Sequence, residues 1–300
     1  MHLVIPFAAP LSPAGREVLR GQRWPGLQRL LAGRAAQLDS GDELSLSPPH
    51  ERAVARERGW AGGDGQLPLA AHAARADGLA PEGLAWGLLT PAHWHQGTDQ
   101  VSMTDPSTLA LDEAASRTLF DAVAPLFVSE GFVARWGAPL RWYVAHASLA
   151  TLACASPDRV IGRNVDRWLP GAREARLWRR LHSEVQMLLH GHPANAAREA
   201  QGLAVVNSVW LSGCGVEQPD RGQPVQTDDR LRQAALAEDW ALWAGAWKQL
   251  DADLAAAPPA RLTLCGERAA ASFDLGARGL WARLGALRGP ARLHELLESL

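Results

Sequence analysis

The chain has 300 residues, 47% hydrophobic and 21% charged, with 30 basic and 32 acidic side chains, a formal net charge of -2 and a pI near 6.6. That suffices to bury a large core, as one domain or a domain with an insertion, and gives no general attraction for nucleic acid or an anionic membrane. No window approaches the roughly 18 apolar residues needed to span a bilayer, and Cys154, Cys214 and Cys265 lie far apart without a CxxC spacing, as expected of reduced thiols in the cytosol.

The N-terminus, MHLVIPFAAP, has no basic region and meets Pro6 and Pro10 at once, so Leu3 to Phe7 reads as a first strand and not a signal peptide. Ser12 to Ala36 reads as one helix, with Leu19, Leu27, Leu30 and Leu31 available to the core. Strand then helix is the opening of a doubly wound sheet. A second helix starts near His50, where an imidazole can accept a phosphoryl group or bind an anion; the alternative is that His50 simply begins a solvated helix. Residues 61 to 82, with Gly-Gly-Asp-Gly and little periodicity, read as loop and linker.

From Gly83 the pattern changes. Gly83 to Thr90 reads as a strand, and residues 108 to 127 as a helix capped by Asp112, with Leu119, Phe120, Val123 and Phe127 at helical spacing. Residues 131 to 146 read as two strands joined at Gly137 to Pro139, which completes an α+β unit. Between them, residues 91 to 106 are dense in Trp, His and Asp. His93 and His95 flank Trp94, and alternation along a strand would put both on one face, with Asp99 and Asp105 following. Such a set can line a ligand pocket, supply divalent-metal ligands, or pack as polar groups.

Glu174 to His190 reads as an amphipathic helix with Leu177, Leu181, Val185 and Leu188 on one face and Arg176, Arg179 and Arg180 in solvent. After it, Asn195 can cap a short helix that exits through Gly202. Leu203 to Leu211 reads as a strand buried on both faces, and Ser-Gly-Cys-Gly follows as a turn. Open α/β sheets place ligands at such a turn, so Asn207 and Ser212 are candidate contacts. Residues 229 to 254 read as one helix whose Trp240, Trp243 and Trp247 form a packing stripe, and Arg261 to Glu267 as a strand ending in a tight turn. No P-loop, dinucleotide fingerprint, zinc spacing or helix-turn-helix pattern stands out.

His192-Pro-Ala-Asn195, Arg198, Gly202 and the run from Asn207 to Gly215, NSVWLSGCG, resemble the signature of the archaeal-type, cofactor-independent phosphoglycerate mutases of the alkaline phosphatase superfamily. More narrowly, the chain resembles the bacterial RpfE-type regulatory proteins, which look like catalytically altered relatives of those mutases. The resemblance implies an α/β fold: an alkaline phosphatase-like doubly wound sheet over residues 1–80 and 203–300, with an inserted α+β lid domain at 81–202. Ser156 to Arg163 resembles the family's turn before the long helix of the lid. Arg163 and Arg198 are then candidates for gripping an anion, because guanidinium forks match carboxylate and phosphate oxygens; a surface or ion-paired role is the alternative for each.

The departures from the family matter as much. Its first strand ends in Asp-Gly, the Asp being a metal ligand, whereas this chain reads Pro6-Phe7-Ala8. Anchoring on Ala53, Gly59 and Trp60 sets His50 where the family has its nucleophilic Ser, with Ser47 the other hydroxyl in reach. A metal-binding Asp-His pair gives way to Gly266-Glu267-Arg268, and Asp239 and Trp240 are the nearest counterparts of the remaining pair. Phosphoryl transfer in this superfamily needs two divalent cations. The resemblance so altered implies a cytoplasmic, non-catalytic regulator or ligand sensor, binding a small acidic metabolite or a protein partner, without cofactor, direct nucleic-acid contact or membrane. The alternative is a phosphomutase or phosphatase with a rebuilt site, using His50 and Mn or Mg.

Overall fold

The computed structural model describes residues 1–80, 83–171, 175–222, 224–276 and 291–300. They form two compact units, Met1–Gly59 with Asp220–Leu300, and Trp60–Pro219. Both mix helices with a sheet. Among the described residues no helix is long and apolar enough to cross a membrane.

The first unit is built on a five-stranded mixed sheet. β1 (His2–Ile5) runs parallel to β9 (Val225–Thr227) on one side and to β10 (Arg261–Cys265) on the other. β11 (Ala270–Asp274) returns antiparallel to β10, and β2 (Gln37–Asp39) closes the order β2-β11-β10-β1-β9. Alternation sorts the strand residues onto two covered faces. Leu3, Ile5, Leu262, Leu264 and Phe273 pack with Leu19 of α1 (Pro13–Gly21), Leu27 of α2 (Pro25–Leu31), Trp243 and Trp247 of α10 (Trp240–Ala256) and Leu297 of α11 (Ala291–Ser299). Val4, Cys265 and Ala270 pack with Ala53 of α3 (Pro49–Arg58) on the other face.

Two helices expected to be continuous are broken, each for a local reason. Between Ser12 and Ala36 there are two, α1 and α2, because Pro25 has no amide to donate backward and takes the first position of the second. Ser12 caps the first, accepting from the Gly15 amide at 3.1 Å. Asp251 of α10 accepts from the Gly26 and Leu27 amides at 3.0 and 2.7 Å and so closes the start of the second. The expected helix over 229–254 divides into α9 (Arg232–Leu236) and α10. Glu238 turns the backbone to a φ of 53° and Asp239 caps the new start through the Leu242 amide at 2.9 Å.

The second unit is an α+β fold around an antiparallel sheet in the order β6-β7-β3-β8. Its strands are β3 (Ala85–Ala92), β6 (Val133–Ala138), β7 (Arg141–Ala145) and β8 (Ser208–Val216). α5 (Glu113–Val128) and α7 (Arg176–His190) bury Leu119, Val123, Phe127, Leu181, Val185 and Leu189 on one face. Asp112 caps α5 as expected, accepting from the Ala115 amide at 2.7 Å. Ser116 on α5 accepts from the Trp136 and Trp142 indoles at 3.0 and 2.9 Å, which fixes the helix on the β6–β7 hairpin. The expected start of α7 at Glu174 lies outside the described residues. Two short strands, β4 (Trp94–Gln96) and β5 (Val101–Met103), make a separate hairpin, and α6 (Pro157–Val160) and α8 (Pro193–Ala200) are further short helices of the unit.

Three expectations fail in this unit. Residues 61 to 82 contain a helix, α4 (Leu69–Ala76), whose Ala70, Ala71 and Ala74 pack on Trp86, Tyr143 and Ala145. Alanines carry so little hydrophobic contrast that burial, not periodicity, reveals the helix. The strand expected at Leu203 to Leu211 runs instead from Ser208 to Val216, so Ser212 to Gly215 belong to the ladder with β3 and form no turn. The expected division at 80/81 and 202/203 moves to 59/60 and 219/220 for the same reason: β8 hydrogen-bonds to β3, and α4 lies on that sheet, so both belong with the α+β unit.

Replacing Asp251 by Ala leaves two buried amides at the start of α2 without acceptors. The variant is expected to lose about 2–3 kcal/mol of stability, measured as a lower urea midpoint with an unchanged slope.

Candidate functional site

In the first unit the candidate residues gather at the carboxyl end of β1 and the start of α3. Phe7 is held at a φ of 55°, a left-handed conformation that costs a non-glycine residue about 1–3 kcal/mol. Three hydrogen bonds keep it there: the Trp243 indole donates to the Phe7 carbonyl at 2.9 Å, the Trp247 indole to the Ala8 carbonyl at 3.2 Å, and the Ala8 amide to the Cys265 carbonyl at 2.8 Å. The tryptophan stripe of α10 is thus more than packing, because two of its indoles set the loop.

His50 is the second residue of α3, half-buried, with its ring 5.7 Å from that of Phe7. Ser47 is buried at 2% exposure, which removes it as a hydroxyl open to a substrate. Arg52 spans this corner, donating to Asp39, to the Ser47 carbonyl at 2.8 Å and to the Arg268 carbonyl at 3.3 Å. Arg56 reaches the same Asp39 carboxylate at 2.6 Å. At the turn after β10, Glu267 accepts from the Leu11 amide at 3.3 Å, and the Arg268 and Ala269 amides both donate to the Leu300 carbonyl at 2.8 Å. Asp239 caps α10. Among the described residues no three His, Cys, Asp or Glu side chains converge in a way that could hold a metal ion.

At the opposite end of the strand, His2 carries a buried network of its own. Its Nε2 lies 2.7 Å from Thr263 Oγ1, which lies 2.7 Å from Ser272 Oγ, and its Nδ1 is 3.2 Å from Glu57 of α3. Hydroxyl, imidazole and carboxylate in a row resemble a nucleophilic triad. Thr263 is wholly buried, so no substrate reaches it, and the network joins sheet to helix. Burial lowers the pKa of His2 although Glu57 opposes that shift.

The second unit holds the other sequence candidates, and the fold assigns most of them to its own backbone. Asn207 accepts from the Trp94 amide at 2.7 Å and donates to the Trp94 carbonyl at 2.9 Å, a two-point clamp between the segment before β8 and β4. Arg198 is 4% exposed and donates to the Ala204 carbonyl at 2.9 Å and to the Leu109 carbonyl. A guanidinium committed in that way braces the chain and does not reach a ligand from solvent. Asn195 does not cap α8. His192 does, accepting from the Ala194 amide at 3.2 Å, while Asn195 bridges the Leu189 and Val206 carbonyls at 2.8 Å each.

Ser212 is buried opposite Leu88 in the ladder, and Gly213 beside it, at a φ of 62°, makes a bulge against the start of α4, where a Cβ would sit 2.9 Å from the Ala70 amide. The glycines therefore admit a helix and do not cradle an anion. His93 lies before β4 and its Nδ1 donates to the Val205 carbonyl at 2.9 Å, whereas His95 is exposed within β4, and Asp99 is exposed in the hairpin loop. The two histidines thus differ in setting, His93 half-buried against a backbone carbonyl and His95 exposed. Arg163 is half-buried in a turn that joins β5 through the Gly162 amide and the Met103 carbonyl at 2.8 Å.

A group that the sequence did not single out lies close by. His182 of α7 is 6% exposed, bonds Ser208 Oγ at 2.8 Å, stacks on Trp178 at 5.3 Å and touches Trp94 at 4.9 Å. Burial pulls its pKa down to about 4. His182 and Ser208 are 26 residues apart, so no local spacing announces them. The same holds for Asp77, which takes a two-pronged bond from Arg141 at 2.8 Å and a Tyr143 hydroxyl at 2.6 Å. The Arg141 fork holds the Asp77 carboxyl below its usual range, and burial pushes the Tyr143 hydroxyl up.

No family model matches the chain. A stretch of 66 residues, 22% of the chain, is 30% identical to the 2,3-bisphosphoglycerate-independent phosphoglycerate mutase of Methanosarcina barkeri and 29% identical to that of Methanosarcina mazei. The match spans 17% of the length of each of these curated relatives. This chain is similar to the cofactor-independent phosphoglycerate mutases. Among solved structures, the cofactor-independent phosphoglycerate mutase from Thermoplasma acidophilum aligns over 96% of this chain and 95% of its own at 13% identity and a TM-score of 0.39. The PH0037 protein from Pyrococcus horikoshii aligns over 91% and 86% at 12% identity and 0.44.

The His182 pKa gives a signed expectation. An unfolded histidine binds a proton near 6.5 and the folded one near 4, so the unfolded state binds more protons between those values. Stability is then full above pH 6.5 and falls by about 3 kcal/mol as pH drops to 4. Urea titrations of the parent and of His182→Gln across that window should differ in slope, the variant being flatter.

Proposed function

We propose that this chain is a regulatory or ligand-sensing relative of the cofactor-independent phosphoglycerate mutases, of the RpfE type, which does not transfer phosphoryl groups. The observation that carries the reading is Phe7. Its left-handed backbone is the conformation a glycine adopts freely, and the family that the sequence resembles ends this strand in Asp-Gly, where this chain reads Pro6-Phe7-Ala8. Pro6, Phe7 and Ala8 bring no carboxylate to the end of this strand, and the Phe7 ring packs toward His50.

The surrounding groups fit two divalent cations poorly. Arg52 and Arg56 take up Asp39, Asp239 is a helix cap, and Glu267 serves the Leu11 amide. A half-buried His50 at the first turn of α3, with guanidinium groups nearby in the same unit, suits an acidic small molecule better than a cation. In this proposal the second unit corresponds to the lid domain of the mutases, the setting is the cytoplasm, and a small acidic metabolite or a protein partner is what the chain senses.

The test is to incubate the purified protein with Mn or Mg, measure bound metal per chain, and follow interconversion of 3- and 2-phosphoglycerate. No conversion above the protein-free control is expected, while 3-phosphoglycerate raises the melting temperature of the parent and raises that of His50→Ala less. Turnover that requires stoichiometric metal and disappears in His50→Ala would sink the proposal.

A further inference from the structure

Cys154 and Cys214 are 60 positions apart, yet the fold of the second unit sets their Sγ atoms 3.6 Å from one another, thiol against thiol. Both are free and buried, at 3% and 0% exposure. Cys154 lies in the irregular segment before α6 and is fixed by its amide, which donates to the Gly65 carbonyl at 2.9 Å. Cys214 lies on β8 between Gly213 and Gly215. Opposite it on β3 is Gly87, where a Cβ would stand 3.2 Å from the Cys214 sulfur and 2.6 Å from Leu211, so the missing side chain at 87 is what makes room for the thiol.

Disulfide bonding asks the two sulfurs to close by about 1.5 Å, a shift that side-chain rotation and a small movement of an irregular segment supply. We propose that Cys154 and Cys214 are a redox modification site, converted by a small-molecule disulfide into an intramolecular disulfide that staples the segment before α6 to β8. One thiol of the pair loses its proton and attacks the oxidant, forming a mixed disulfide and expelling one small thiolate. The second thiol loses its proton and attacks the protein sulfur of that mixed disulfide, expelling the other. The chain gives up two hydrogens and two electrons, and the oxidant leaves as two thiols.

Burial governs the rate. The hydrogen bond with Cys154, together with burial, holds Cys214 as a thiol well above the ordinary range, so exchange requires local opening and quickens with pH. Cys265 serves as an internal control, since it is the one cysteine of the first unit and has no second thiol there.

The experiment treats the full chain with 2-hydroxyethyl disulfide at about pH 8.5, in urea just below the unfolding transition, and counts thiols after denaturation. The expected result is a fall from three titratable thiols to one, a mass lower by two hydrogens with no adduct, and a peptide joining Cys154 to Cys214. After removal of urea, the oxidised chain should melt several degrees higher than the reduced one. Cys265→Ser should go from two thiols to none, and Cys214→Ala should stop at the mixed disulfide. Three thiols persisting after prolonged treatment, an adduct on one cysteine without ring closure in the parent chain, or a link that involves Cys265 would each overturn the proposal.

Discussion

The first unit depends on two indole hydrogen bonds. Trp243 and Trp247, one turn apart on α10, donate to consecutive carbonyls, Phe7 and Ala8, just beyond the end of β1. Each bond is modest by itself, about 1 kcal/mol net. Their joint effect is geometric: with both carbonyls tied and the Ala8 amide given to Cys265, the intervening backbone has little choice but the left-handed conformation observed at Phe7. That conformation directs the phenyl ring into the core beside the start of α3 and places His50 against it. The strained residue is thus paid for by two tryptophans that are themselves wholly buried.

The second unit follows a different rule, in which buried polar side chains satisfy backbone that the sheet leaves unpaired. The stretch from Ala204 to Asn207 precedes β8 without joining the ladder. The Ala204, Val205 and Val206 carbonyls and the Val206 amide are met instead by Arg198, His93 and Asn195, the Asn207 amide donates to the Ala92 carbonyl at 3.1 Å, and the Asn207 side chain clamps Trp94. Unpaired buried backbone groups cost as much as lost hydrogen bonds, so Asn195 and Arg198 have a structural purpose that accounts for their burial. Asn195, Arg198 and Asn207 carry the strongest sequence resemblance to the mutases, and each is spent on holding this segment. The resemblance at these positions therefore concerns the scaffold and leaves the chemistry to be argued from the loops of the first unit.

The candidate site was legible in the sequence where a residue type was missing and obscure where partners were distant. The missing carboxylate at Pro6-Phe7-Ala8 could be read directly, as could His50 at a helix start. The roles of Arg52 and Asp239 could not, because their partners, the Ser47 and Arg268 carbonyls and the Leu242 amide, depend on how chain segments meet and where a helix breaks. His93 and His95 differ for the same reason: the Val205 carbonyl that the His93 ring meets is 112 positions away, and His95 has exposed surroundings.

By itself the sequence determined the two classes of architecture, an α/β sheet at the termini and an α+β unit between, since apolar runs and helical spacing are local properties of the chain. It also determined the Asp112 cap, the α7 face and the stripe on α10, each written within a few turns of helix. Tertiary structure alone decided that β8 pairs with β3, that the run from Ser212 to Gly215 is a bulged strand against α4, and that the unit boundary falls at 59/60 and 219/220. It alone brought Cys154 to Cys214 and His182 to Ser208. Strand pairing and burial are contacts between residues tens to hundreds of positions apart, and the periodicity within one segment carries no information about which distant segment will cover it.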